Sequence, residues 1–209
     1  MSWERYYEHP DKVMNFSDNL DLFEPAIEKV KPQVVTKSLK RPLRLVLGGF
    51  NPGAGSPEQF KEFCASHLPG DHQIVMVDMN SLPLTSLDAK DFPFRVQGRL
   101  EDLPLRKKSV DFVFLNGVFN FCDNQQVTEI AESLSSVLRP KGMVLTAMNV
   151  PDFSDPAEKK EVMKRYRDLG LKPHFRSMEQ LQSLMKPLEI LDNQGSFGYE
   201  LGVFRNKKR

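Results

Sequence analysis

The chain is poor in most of the residues that would give its function away. Among 209 residues there are two cysteines, four histidines and one tryptophan. Cys64 and Cys122 lie far apart and without metal spacing, so they are expected as free buried thiols in a reducing compartment. The histidines are scattered, which argues against a zinc site. Charge of one sign is also missing: 29 Lys and Arg stand against 28 Asp and Glu, a formal net charge of +1. A nucleic-acid binder held mainly by counterion release would carry a clear basic excess. No apolar run approaches the ~20 residues that cross a bilayer. The start, Met1-Ser2-Trp3-Glu4-Arg5-Tyr6-Tyr7-Glu8, is polar and acidic, so neither a signal nor a transit peptide is expected. These absences favour a cytoplasmic protein with no membrane or nucleic-acid partner.

What is present is a 40% hydrophobic, 27% charged chain, which can bury a sizeable core. At roughly 150 residues per domain, its length predicts one domain, or one domain with an appendage. Residues 1–40 read as an N-terminal helical segment. Leu20, Phe23, Ile27 and Val30 recur three or four apart, and Trp3, Tyr6 and Tyr7 suit either a lid or a helix packed on a sheet. Lys29, Lys31, Lys37, Lys40, Arg41 and Arg44 then cluster, as a solvated helix end or as the mouth of an anion site.

Residues 41–209 read as one α/β domain. Strands are predicted over Leu43–Gly48, Gln73–Val77 (ending at Asp78), Phe94–Gln97, Val110–Leu115 (ending at Asn116) and Met143–Ala147. Helices alternate with them. Ser56-Pro57-Glu58-Gln59 and Ser177-Met178-Glu179-Gln180 have the form of capping boxes. Asp123–Leu138 carries Val127, Ile130, Ala131, Leu134 and Leu138 on one face, and a further helix starts at Asp155-Pro156. Arg139-Pro140-Lys141-Gly142 reads as a turn. Leu188–Leu191 and Tyr199–Phe204 read as a hairpin about the turn-rich Asp192–Ser196. The fold class is α/β, a seven-stranded mostly parallel sheet with helices on both faces and a C-terminal antiparallel hairpin.

Between the first strand and its helix lies Gly48-Gly49-Phe50-Asn51-Pro52-Gly53-Ala54-Gly55-Ser56. A glycine-rich turn lets backbone approach a ligand closely. A phosphate-binding P-loop needs Lys-Ser/Thr after its second glycine, but Ala54-Gly55 follows Gly53. A dinucleotide fingerprint needs a third glycine where Glu58 stands, and a carboxylate there opposes a pyrophosphate. The turn instead resembles motif I of class I S-adenosylmethionine-dependent methyltransferases of the type 11 kind, with Asn51, Gly53 and Gly55 at its glycine positions. The resemblance continues in order along the chain. Asp78 stands where the family places an acid on the ribose hydroxyls. Gly98-Arg99-Leu100-Glu101-Asp102-Leu103-Pro104-Leu105 is similar to the family's G-D-A-E-D-L-P-F. Leu138-Arg139-Pro140-Lys141-Gly142 is similar to its L-R-P-G-G.

The resemblance implies a Rossmann-like methyltransferase fold that binds S-adenosylmethionine, gives S-adenosylhomocysteine and methylates a small-molecule acceptor. It implies cofactor contacts from Gly49, Phe50, Asn51, Gly53, Asp78, Met79, Arg99, Leu100, Asn116 and Gly117, with no metal. No catalytic base is identified, and the oligomeric state is left open. Two positions depart from the family. Its motif I acid falls at Gly49, and the Asp that accepts from the adenine amino group is Arg99, which has donors only. Arg99 is expected to stack on the adenine while Glu101 or Asp102 reaches in. The alternative is a catalytically weak or inactive member acting as a binding or regulatory module. At the end of strand four, Asn116-Gly117-Val118-Phe119 is expected near the methyl group, with Phe119 and Phe121 as pocket wall or core. His174 is read as a loop histidine.

Overall fold

The structure is a computed structural model, which describes residues 23–32, 41–50, 56–150, 156–196 and 199–207. Its helices are α1 (23–32), α2 (Ser56–His67), α3 (Ser81–Ser86), α4 (Asn124–Val137), α5 (Pro156–Asp168) and α6 (Met178–Leu184). Its strands are β1 (Leu43–Gly48), β2 (His72–Asp78), β3 (Phe94–Gln97), β4 (Val110–Asn116), β5 (Leu138–Asn149), β6 (Leu188–Ser196) and β7 (Tyr199–Asn206). They form one sheet in the order β3-β2-β1-β4-β5-β7-β6. The first five are parallel, and β7 runs antiparallel to both β5 and β6. The expected seven-stranded sheet with a terminal hairpin is what forms.

Strand residues alternate between two buried faces. Leu45 and Leu47 of β1 join Phe112 and Phe114 of β4 under α1 and α2. Phe114 is the centre of this layer, with Phe23 and Phe60 edge-on to it at ring distances of 5.9 and 4.8 Å. Val46, Val113, Leu115 and Val144 face the other way, under α4 and α6. Phe23, Ala26 and Ile27 of α1 are fully buried, so this part of the N-terminal segment belongs to the core. Trp3, Tyr6 and Tyr7 lie outside the described residues.

Local signals hold where side chains close their own caps. Asp123 caps α4 and Ser177 caps α6, each in a reciprocal capping box with Gln126 and Gln180. At α2 the expected box does not close through Gln59, whose Oε1 is buried without a hydrogen-bond partner.

Two turns were expected where strands continue. The Arg139-Pro140-Lys141-Gly142 turn is a bulge within β5, where the register with β4 shifts between Val110 and Phe112. Lys141 takes φ 62°, and a Cβ on Gly142 would stand 2.9 Å from the Arg139 carbonyl oxygen. Asp192–Ser196 is not a turn but the second half of β6, paired from Asp192↔Val203 to Ser196↔Tyr199. Pairing with β7 overrides the weak strand preference of Asn and Gly on this outer strand.

Candidate functional site

In a parallel sheet with helices on both faces, ligands bind beyond the carboxyl ends of the strands. The register aligns those ends here: Gly48 lies beside Val77 and Leu115, and Asp78 beside Gln97. The loops that follow therefore share one edge. Gly49 donates its N–H to the Val77 carbonyl at 3.1 Å, Gly98 to Asp78 at 2.9 Å and Gly117 to Ala147 at 2.9 Å. The edge thus gathers Gly49, Phe50, Asp78, Met79, Arg99, Leu100, Asn116 and Gly117. Asn51 and Gly53 lie outside the described residues.

Close approach explains the glycines. A Cβ on Gly48 would stand 2.9 Å from a Leu115 methyl and 3.1 Å from one of Leu100, so Leu100 covers the end of β1. Gly49 sits at φ 64°, and a Cβ there would meet a Val118 methyl at 2.6 Å. The position where the family carries its acid is therefore strained for any side chain, not only an acidic one. Gly117 is also left-handed, at φ 67°, with open space beside it.

Asp78 ends β2 almost fully buried, at 5% exposure. Its Oδ1 accepts from the Asn80 N–H at 2.8 Å, and Asn80 in turn caps α3 through the Leu82 N–H. Met79, beside it, is 48% exposed. A buried acid at a strand end, flanked by an open apolar side chain, fits the ribose and one face of a nucleoside. Phe50 is core, at 3% exposure.

Arg99 is not turned onto this edge without a partner. Its Nη2 donates to Glu101 Oε1 at 2.8 Å, and Gln126 of α4 donates to the same oxygen at 3.2 Å. Glu101, expected to reach in, is held sideways between them. Burial pushes its carboxyl up, but the hydrogen bond and charge of Arg99, with Gln126, bring it below its ordinary value. Both hydrogen bonds fall on Oε1, so Arg99 itself offers no acceptor, while Glu101 Oε2 and the exposed Asp102 carboxylate remain acceptors beside it.

The other half of the edge was not legible. Residues 118–121 form a 3-10 turn after β4, and three distant segments hold it. Asn120 exchanges two hydrogen bonds with Asn149 at the end of β5. His174 donates its backbone N–H to the Asn120 carbonyl at 2.6 Å. Arg176, 7% exposed, donates to the carbonyls of Phe119 and Cys122 and to Asn124 Oδ1. Burial lowers its pKa. Phe119 is core, whereas Phe121 meets Tyr166 at 5.6 Å and Tyr166 meets Phe175 at 6.1 Å. Burial, then the charges of Arg176 and Lys172, lower the pKa of the His174 imidazole. Apart from Tyr166 and Phe175, these partners lie 29 to 57 residues apart and leave no local pattern, so the sequence marks only Phe119, Phe121 and His174.

A family model described as "Methyltransferase domain" matches residues 50–146. No curated protein matches the chain. Solved structures match its fold at low identity. An S-adenosylmethionine dependent methyltransferase from Mesorhizobium loti is 15% identical, with 90% of this chain and 100% of that one covered and a TM-score of 0.64. A putative methyltransferase of Haloferax volcanii, in complex with the methyltransferase activator Trm112, is 14% identical over 92% and 97%, with a TM-score of 0.61. The N-methyltransferase NodS of Bradyrhizobium japonicum, in complex with S-adenosyl-L-homocysteine, is 15% identical over 87% of each chain, with a TM-score of 0.53. Residues 50–146 thus match a methyltransferase-domain model, and the strand order together with the low-identity structural matches gives the chain the fold of class I methyltransferases.

Proposed function

We propose that the protein binds S-adenosylmethionine over the carboxyl ends of β3, β2, β1 and β4 and transfers its methyl group to a small-molecule acceptor. The observation that carries this reading is the buried Asp78 carboxylate beside the left-handed Gly49 on neighbouring strand ends. Asp78 would accept from the ribose hydroxyls, and Met79 and Leu100 would flank the base. The backbone at Gly49 and Gly117 leaves room for close approach. The cofactor supplies an electrophilic methyl group on a sulfonium. The chain's part is then to hold the acceptor in line and exclude water. Phe121, Tyr166 and Phe175 would wall the acceptor side, braced by Asn120, Asn149 and Arg176. The near-zero net charge supports a small acceptor over a nucleic acid.

Thermal unfolding with S-adenosylhomocysteine tests the reading. At about 100 times its dissociation constant the ligand adds about 2.7 kcal/mol, a rise on the order of 5 °C. Asp78→Asn keeps an oxygen for the Asn80 N–H but loses the charge, and should lose most of that rise. No rise with either the product or the methyl donor overturns the proposal. Label from methyl-tritiated donor should enter the small-molecule fraction of a cell extract; label only in macromolecules overturns the acceptor class.

A second reading, a methyltransferase fold used as a binding or regulatory module, is favoured by the commitment of Arg99 to Glu101 and by the strain that an acid would meet at Gly49. It expects no label transfer even where the product binds.

A further inference from the structure

The opposite edge of the sheet, at the amino ends of the parallel strands, holds a cleft of about 450 Å³. That is the size of small-ligand sites, and methyl transfer leaves it unused. Arg41, Arg44, His72, Gln73, Phe94 and Arg139 line it. Three neighbouring strands and the β5 bulge deliver them. Arg44 and Gln73 are register partners on β1 and β2, Phe94 opens β3, and Arg139 lies in the bulge.

The charges around this cleft do not balance. Asp111, 2% exposed, takes both terminal nitrogens of Arg41 at 2.7 and 2.8 Å. The same carboxylate takes Arg139 Nη1 at 3.1 Å and the backbone N–H of Arg44 at 3.0 Å. One buried carboxylate thus serves two guanidinium groups. Asp71, also on the wall, still leaves three guanidiniums against two carboxylates. The Arg44 guanidinium is fixed only through Nε, which donates to Gln73 Oε1 at 2.7 Å. Among the described residues its two terminal nitrogens have no partner. Such a fork matches the oxygens of a phosphate.

A further group points to a ligand. Phe94 is 44% exposed, the most open phenylalanine among the described residues, and offers a stacking face. The basic run of the sequence divides accordingly. Lys29 and Lys31 are paired with Asp192 and Glu28, while Arg41 and Arg44 reach this cleft.

We propose that the cleft is a second binding site, separate from the cofactor edge, for a phosphorylated planar ring the size of a nucleoside monophosphate. Arg44 and Arg139 take the phosphate and Phe94 takes the ring. The excess is local, at one cleft within a nearly neutral chain, which fits a small phosphate ester and not a polymer.

Calorimetric titration of the full chain with uridine 5′-monophosphate, uridine and inorganic phosphate tests this. A pyrimidine probe avoids the adenosine chemistry of the cofactor. The nucleotide should bind at least about tenfold tighter than either fragment. Arg44→Met and Phe94→Ala should each weaken it by about tenfold or more. Arg44 loses one side-chain contact and Phe94 is open, so both variants should melt near the parent temperature. The proposal is overturned if the nucleotide does not saturate by about 10 mM. It is also overturned if both variants bind it as the parent does, or if S-adenosylhomocysteine competes with it.

Discussion

Asn120 and Asn149 clasp each other: the Asn120 side-chain amide donates to the Asn149 carbonyl at 2.8 Å and accepts from its N–H at 2.9 Å. The pair ties the turn after β4 to the end of β5, so the two strands that would frame the acceptor move together. Asn120 is 3% exposed. Asn120→Ala therefore leaves two backbone groups of Asn149 with a lost partner, at about 1–3 kcal/mol. Urea unfolding should show that loss. Asn120→Asp should not rescue it, because a carboxylate accepts but cannot donate to the Asn149 carbonyl. Full rescue by Asp would mean that the donated bond does not matter.

Arg99 and Glu101 give a pH-dependent prediction. Glu101 sits below its ordinary value of 4.5 in the fold. A lowered acid stabilises the fold above its unfolded pKa, and that stability is lost as pH falls through the folded one. Melting temperatures of the parent and Glu101→Gln should therefore differ at neutral pH and converge below pH 4.5. Arg99 is 58% exposed, so solvent screens the pair and the gap should stay below about 1 kcal/mol. A gap that widens in acid would contradict this.

On the proposed cofactor placement, the same arginine stands at the adenine. Arg99→Asn places a side-chain carbonyl where the adenine amino group needs an acceptor, without adding charge beside Glu101. One such hydrogen bond contributes about 1 kcal/mol. S-adenosylhomocysteine should bind about fivefold to tenfold tighter, measured by calorimetry. Unchanged or weaker binding would remove Arg99 from the adenine face.

The parallel half of the fold, and with it the strand ends that make up one half of the candidate site, are readable from sequence because their signals are local. Apolar runs ending at Gly48, Asp78 and Asn116 place the strand ends, and parallel pairing brings those ends to one edge. Asp123 and Ser177 announce their helices through side chains three residues away. The misread stretches, Arg139–Gly142 and Asp192–Ser196, have turn chemistry but are held extended by β4 and β7. The proposed acceptor half rests on Asn120, Asn149, Tyr166 and Arg176, whose partners are mostly distant in sequence. The opposite cleft was half visible. The basic run was conspicuous, but Asp111 looked like one more strand residue, and its two arginines lie 70 and 28 positions away.

Cys122 is only partly buried, yet its thiol should be inert. Burial, then the charge of Glu101, push its pKa up to about 12, and burial raises that of Cys64 further. Thiolate is the reactive form, so little forms at neutral pH. Ellman's reagent should modify neither thiol until urea unfolds the chain. Glu101→Gln should modestly speed modification of Cys122 alone. Rapid native labelling of Cys122 would refute the assigned environment.

Thr146 marks a place where the chain can be improved. It is fully buried in β5 between Leu115 and Gly202, and its Oγ1 has no hydrogen-bond partner. Val144 and Met148, on the same face of the strand, belong to the apolar cluster under α4 and α6. A buried hydroxyl without a partner costs about 1–3 kcal/mol. Valine keeps the branched shape that strands favour and exchanges the hydroxyl for a methyl. Thr146→Val should therefore raise stability by about 1 kcal/mol, or a few °C in melting temperature. Binding of S-adenosylhomocysteine should be unchanged, since Thr146 lies inside the sheet and not at its edge. Destabilisation would mean that the hydroxyl has an acceptor in solution, and a changed affinity would mean that β5 transmits strain to the site.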